Sequence, residues 1–210
     1  MGRPSLRSKI LESGLRTVHQ HGFINAGIRE ITAAAGVPQG SFTNHFRSKE
    51  AFGAAILDRY FEGIQATIAA TLGDESRSPV QRLHAYFDAV TARLAEADWH
   101  HGCLIGNMSL ETAEHSDLLR EHLAAMFNGV TEPFTRTILA AQAVGEVRGD
   151  FAADEIAAVL MSSWQGAMLW MKVQRTAVSI ERFKRVTLAA FLTVPCSADK
   201  GTINHALQPE

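Results

Sequence analysis

Residues 28–46, IREITAAAGVPQGSFTNHF, decide the fold. Ile28, Ile31 and Ala35 recur at helical spacing and mark one apolar face. Gly36 is a stop signal, because glycine takes the left-handed conformation without steric cost. Pro38 suits the start of a second helix, where its missing N–H is no loss. That second helix has Phe42 and Phe46 on its back. Gln39, Ser41, Thr43, Asn44 and His45 make up its polar front. A short helix with this division fits the DNA major groove: the aromatics anchor it while the amides and hydroxyls reach base edges.

Working outward, the flanks are helical too. A basic arm occupies residues 1–7, and a helix is expected from Ser8 to Gln20 with Ile10, Leu11, Leu15 and Val18 as its stripe. Phe23 is expected as a plug between helices. Ser48 is a good N-cap for a fourth helix reaching about Leu72, long enough to link two domains. Ser78-Pro79 opens another helix, to about Ala97. Further helices are expected near Leu104–Ala113, from Ser116 to Ala143 with a kink at Pro133, from Ala153 to Arg175, and from Ser179 to Thr193. The last two are apolar on most of their surface, which suits either a dimer bundle or a monomer core. No strand-like alternation and no internal repeat stand out.

The expectation is therefore an all-α protein of about nine helices. Residues 1–48 form a three-helix helix-turn-helix unit, and the helix at 49–72 links it to the body. Residues 49–194 form a ligand-sensing and dimerisation domain, and 195–210 a loose tail.

Composition agrees with such a protein. It has 210 residues, 46% hydrophobic and 20% charged, enough apolar material for a sizeable core. No apolar run of membrane-spanning length and no secretory signal is visible. Cys103 and Cys196 have no metal-ligand spacing, so a reducing, cytoplasmic setting without metal or cofactor is expected. Net charge is −2, yet residues 1–60 carry eight Lys/Arg against four acids, leaving +4 there and −6 beyond. A basic first quarter on an acidic body points to a polyanionic partner.

The stretch TVHQHGFINAGIREITAAAGVPQGSFTNHFRSKEAF resembles the N-terminal domain of TetR-family transcriptional regulators. The resemblance covers about Ile10 to Tyr60. One departure is Phe42-Thr43, where the family often has tyrosine second, a residue that commonly touches phosphate. Ala26-Gly27 also replaces the Thr or Ser often seen before the second helix. The resemblance implies a homodimer whose recognition helices enter successive major grooves of a near-palindromic operator, with half-sites about 34 Å apart or somewhat more. It makes Gln39, Ser41, Thr43 and Asn44 base-reading candidates. Lys49 and His45 become phosphate candidates, with Arg3 and Arg7 as additional contacts from the arm.

In the body, HGCLIGNMSLETA and the later WQGAMLWMKVQRT resemble the branch of that family that responds to N-ethylmaleimide-type electrophiles and to acrylate. In some members of that branch the cysteine of the first motif is a sensing thiol and the lysine of the second takes part in the redox response. Here these are Cys103 and Lys172. The chemistry of the residues leaves two readings open. A thiol at a loop-to-helix junction is activated by unpaired N–H groups, helped by His100 and His101 if charged. A free cysteine also serves as a small buried apolar residue. Lys172 either snorkels to solvent or meets an anion. Phe87, Trp99, Asn107, Met108, Met126, Phe127, Trp164 and Met168 are candidates for a cavity suited to a small apolar ligand, although such side chains more often simply fill a core.

The leading expectation is a repressor released by a small molecule, through Cys103 or without it. Two other classes carry less. A Cys–His enzyme built on Cys103 lacks an oxyanion hole and a productive spacing. A protein-binding adaptor fits poorly with a basic, polar recognition helix.

Overall fold

The structure, a computed structural model, describes residues 5–192. Among the described residues all regular structure is helical. Nine helices follow one another: α1 Leu6–His21, α2 Ile28–Ala34, α3 Gly40–His45, α4 Lys49–Thr71, α5 Pro79–Glu96, α6 Leu104–Thr112, α7 Asp117–Ala143, α8 Ala153–Gln174, and α9. Helix α9 begins as Val178–Arg182, widens into a π-type stretch at Phe183–Leu188 and closes at Ala189–Leu192. The expected tail and Cys196 lie outside the described residues, as does Arg3.

Polar signals in the sequence set several helix starts. Ser48, Ser78 and Ser116 each accept a hydrogen bond from the third backbone N–H of the helix that follows, and Gln81 completes a capping box with Ser78. Each such cap contributes about 1 kcal/mol. Helix α2 ends as the glycine requires: Gly36, at φ +64°, donates to the Ala33 carbonyl, and Val37 donates to that of Thr32, both at 3.0 Å. The start of α3 differs from expectation. Pro38 and Gln39 lead into it as a tightened first turn, with the Ser41 N–H bonded to the Pro38 carbonyl at 2.9 Å and the Phe42 N–H to that of Gln39 at 3.0 Å, and the regular helix begins at Gly40. Helix α7 runs from Asp117 to Ala143 with Pro133 inside it, the extent the sequence predicts.

Helices α1–α3 pack against the first turns of α4. Ile10, Val18, Phe23, Ile31, Phe42, Phe46, Phe52 and Ile56 are all buried. Phe42, Phe46 and Phe52 meet pairwise with ring centres 4.9–5.3 Å apart. Such aromatic pairs add about 0.5–1.5 kcal/mol each beyond burial. The buried Ser13 hydroxyl of α1 donates to the Ile31 carbonyl, fixing α2 on α1. This small core holds α3 with its polar side outward.

The body has a second core. Phe87 is wholly buried between Trp164, Phe134 and Phe183, with ring centres 5.0–5.5 Å away. Helix α8 gives Ile156, Leu160, Trp164 and Met171 to this core. Its other side leaves Val159, Leu169, Trp170 and Val173 exposed, with Trp170 62% and Val173 74% accessible. Val178 and Val186 of α9 are exposed as well. No described helix is long and apolar enough to cross a membrane.

Candidate functional site

Helix α3 presents Thr43, Asn44 and His45 to solvent, as the turn before it does Gln39, with Ser41 half-buried beside the buried Phe42. These side chains are not equivalent. The Thr43 hydroxyl donates back to the Gly40 carbonyl at 3.0 Å, so its proton is already used within the helix. Gln39 and Asn44 make no such bond. Arg7 lays its guanidinium over the Phe46 ring at 5.5 Å, which puts a cation beside the helix. Lys49 turns toward the α1–α2 loop. Its ammonium donates to the Ile24 carbonyl at 2.8 Å and sits 5.1 Å from the centre of the Phe23 ring. Burial lowers its pKa, opposed by the nearby Glu111 carboxylate. Arg47, on which the sequence reading placed no weight, is exposed at the α3–α4 junction.

In the body, Cys103 is the N-cap of α6 and is half-buried. The chain reaches it through a tight turn in which Asp98 and Trp99 are both left-handed, at φ +50° and +59°. For side chains with a Cβ each such residue costs about 1–2 kcal/mol, so the turn is held by its surroundings. Two cavities meet at Cys103. One, of about 260 Å³, lies between α4, α5, α7 and α8 and is lined by Tyr60, Tyr86, Arg93, Phe127, Trp164 and Met168 among others. The other, of about 290 Å³, runs along α6 and α8 and is lined by Gly102, Asn107, Leu110 and Lys172 among others. Cys103, Phe127, Gln165 and Met168 border both.

The sequence candidates therefore divide. Cys103, Lys172, Asn107, Phe127, Trp164 and Met168 come together at these cavities. Met108 is wholly buried, and neither cavity is lined by Met108, Trp99, Phe87 or Met126. Tyr60, Tyr86, Arg93 and Gln165 were missed. The tyrosines lie on the apolar stripes of α4 and α5, and a phenol on such a stripe is the one signal that a polar interior space adjoins it.

Burial raises the Tyr60 pKa well above that of an ordinary phenol, and the facing Cys103 sulfur adds to the rise. Tyr86 is likewise pushed up by burial. The expected cationic help from histidine is not available from His101. Its ring stacks on His19 at 4.9 Å, and burial is the largest cause that lowers its pKa, followed by His100 and Lys172. His100 is exposed and bonds the Asp98 carbonyl through Nδ1 at 2.6 Å. Cys103 stands at the first turn of α6, whose leading N–H groups are unpaired within the helix.

A helix-turn-helix unit with a polar front, carried by a helical body, defines a DNA-binding regulator. The comparisons agree. Residues 10–56 match the family described as bacterial regulatory proteins, tetR family, and residues 79–187 match the tetracyclin repressor-like C-terminal domain. The chain is 41% identical over 192 residues to the HTH-type transcriptional repressor DhaR of Mycobacterium sp. (strain GP1), covering 91% of this chain and 95% of that one. The crystal structure of regulatory protein TetR from Rhodobacter sphaeroides superposes with a TM-score of 0.85 at 28% identity, covering 89% of this chain and all of that one. The reduced form of NemR from E. coli gives 0.80 at 26%, covering 91% of this chain and all of that one. The chain belongs to the TetR family and is a transcriptional repressor, not an enzyme.

Proposed function

We propose that this repressor acts in the cytoplasm as a homodimer on a palindromic operator, and that a small electrophile captured by Cys103 releases it. Residues 1–48 read the DNA, α4 links the two parts, and 49–194 sense and dimerise. Gln39, Ser41 and Asn44 contact bases, Thr43 adds its methyl group, and Arg7, Arg3 and His45 approach the backbone. The exposed apolar faces of α8 and α9 support pairing with a second copy as a four-helix bundle.

The observation that carries the sensing reading is the place of Cys103. It caps α6 on the wall between two cavities, one of which also holds Lys172. A structure of the relative NemR from E. coli is of its reduced form, which supports a redox- or electrophile-responsive reading here. A group added at the thiol favours one dimer state over another, which is all that release requires. Footprinting upstream of the protein's own gene tests the repressor, with a protected palindrome expected. Cys103→Ser tests the sensor: it keeps operator binding and loses release by N-ethylmaleimide. If Cys103→Ser is released normally by the inducing compound, the inducer binds without a covalent bond. The aromatic and methionine lining of the inner cavity, with Arg93 at one side, favours a small organic acid in that second reading.

A further inference from the structure

Helix α6 is tied to the DNA-binding unit at both ends. At its start, His19 Nε2 of α1 donates to the Gly102 carbonyl at 3.0 Å. The same imidazole stacks on His101 at 4.9 Å and meets the Tyr60 ring edge-on at 5.7 Å. At its end, the Glu111 carboxylate accepts the Ile24 N–H at 2.9 Å. Gly22 makes room for that carboxylate: a Cβ there would lie 2.8 Å from Glu111 Oε1. Lys49 holds the same residue, Ile24, through its carbonyl.

The first tie is adjacent to the thiol. Gly102 precedes Cys103, and the Cys103 carbonyl accepts the Asn107 N–H at 2.9 Å to begin α6. His101 Nδ1 is buried and has no hydrogen-bond partner among the described residues. The ring stack and the Gly102 bond are thus the polar and aromatic ties of this loop to α1.

We propose that α6 is a two-point strut between the sensing thiol and the DNA-binding unit, and that His19 is the positioning residue that reads the state of Cys103. The inference rests on Cys103 being the reactive thiol. In the reaction, the Cys103 S–H gives its proton to water, and the sulfur electron pair forms a C–S bond at the β-carbon of an α,β-unsaturated carbonyl. The C=C π pair moves into the enolate, and the α-carbon takes a proton from water. No oxidant or reductant is needed. The adduct fills space bounded by Gly102 on one side and Tyr60 on the other. Gly102 moves away from His19, and the DNA-binding unit loses one of its two holds on α6 and the loop before it, keeping the Ile24–Glu111 bond. Because Ser13 fixes α2 to α1 and the buried Phe42 seats α3 in the same small core, the recognition helix moves with α1. Coupling of this kind is reciprocal, so operator binding also changes the reactivity of the thiol.

The test uses the full-length dimer with Cys196→Ser and N-ethylmaleimide as the probe. Ring resonances of the histidines are titrated before and after alkylation, with His19 assigned through His19→Gln. The adduct is expected to shift the His19 resonance and to raise its pKa as the ring leaves its buried stack. His19→Ala is expected to shrink the loss of operator affinity on alkylation by about tenfold, while His19→Gln, which still donates to Gly102, preserves most of it. A His19 resonance unchanged after complete alkylation overturns the strut and leaves the sensing reading standing. A Cys103 that stays unlabelled in the folded dimer overturns both. Release that persists in Cys103→Ser overturns the sensing reading.

Discussion

His19 and Gly102 stand 83 positions apart in the chain, and their side chain and carbonyl meet at 3.0 Å. That one bond joins the first helix of the DNA-binding unit to the loop that carries the candidate thiol. It also places a histidine where protons matter. Burial is the largest cause lowering the His19 pKa; the Gly102 carbonyl opposes it, and His101 and Lys172 reinforce it.

Acid should therefore loosen the joint. A histidine whose folded pKa lies below its unfolded value of 6.5 binds fewer protons when folded. Its contribution to stability is complete above pH 6.5 and is lost as the pH falls below 6.5 and through the folded value. Two basic groups face this ring, His101 from the loop and Lys172 from the end of α8. Both disfavour a positive charge on His19. Thermal melts from pH 7.5 downward should show Tm falling below pH 6.5. Each lost kcal/mol lowers Tm by about 2–4 °C in a chain of this size. His19→Gln should flatten that slope.

Lys49 and Arg47 should separate two roles that a basic junction suggests together. Lys49 is bonded to Ile24, so Lys49→Met is expected to lower stability by about 1 kcal/mol, the worth of a hydrogen bond from a charged donor at a partly exposed site. The salt dependence of operator binding should stay nearly unchanged. Arg47 is exposed beside α3, and Arg47→Ala should reduce the salt slope by about one counterion per subunit. Titrations at several salt concentrations read both effects.

Much of this architecture is legible in the chain because its signals are local. Ser48, Ser78 and Ser116 mark helix starts through bonds to residues three positions on, and Gly36 ends α2 through bonds to residues three and five positions back. The start of α3 was misplaced because proline is equally at home in a turn before a helix. Cys103 was legible as a junction residue because a loop composition changes to an apolar helix there. Tyr60 was not, since a tyrosine on an apolar stripe reads as core until the cavity behind it is seen. His19, Glu111 and Lys49 were opaque for a different reason. Their partners lie far off in the chain, and only the folding of α4 and α6 beside α1 and the α1–α2 loop brings them together.

Asn44 and Thr43 are neighbours on α3 with different expectations. Asn44 is exposed and makes no bond within the helix, so its amide is free for a base edge. Asn44→Ala should cost about 1–3 kcal/mol of operator affinity and relax the preference at one base pair in each half-site. The Thr43 hydroxyl is held by the Gly40 carbonyl, leaving its methyl group to face outward. Thr43→Ser should cost more than Thr43→Val if that methyl meets a thymine. Affinity measured on a set of operator variants reads all three substitutions.

Trp170 carries the prediction about symmetry. It is 62% accessible on α8, beside exposed Leu169 and Val173, although the opposite face of the same helix is core. A tryptophan this exposed in water is unfavourable unless a partner covers it. Substitution by glutamate leaves the monomer core untouched, because Trp170 contributes nothing to the Phe87–Trp164–Phe183 cluster. Trp170→Glu should therefore fold with a normal helical signal, yet weaken dimerisation by about 2 kcal/mol or more, some thirtyfold in the dissociation constant. Sedimentation over a range of concentrations measures this directly. Operator affinity should fall in step, since a monomer reaches only one half-site. A Trp170→Glu protein that remains dimeric at nanomolar concentration would place the symmetry on another face.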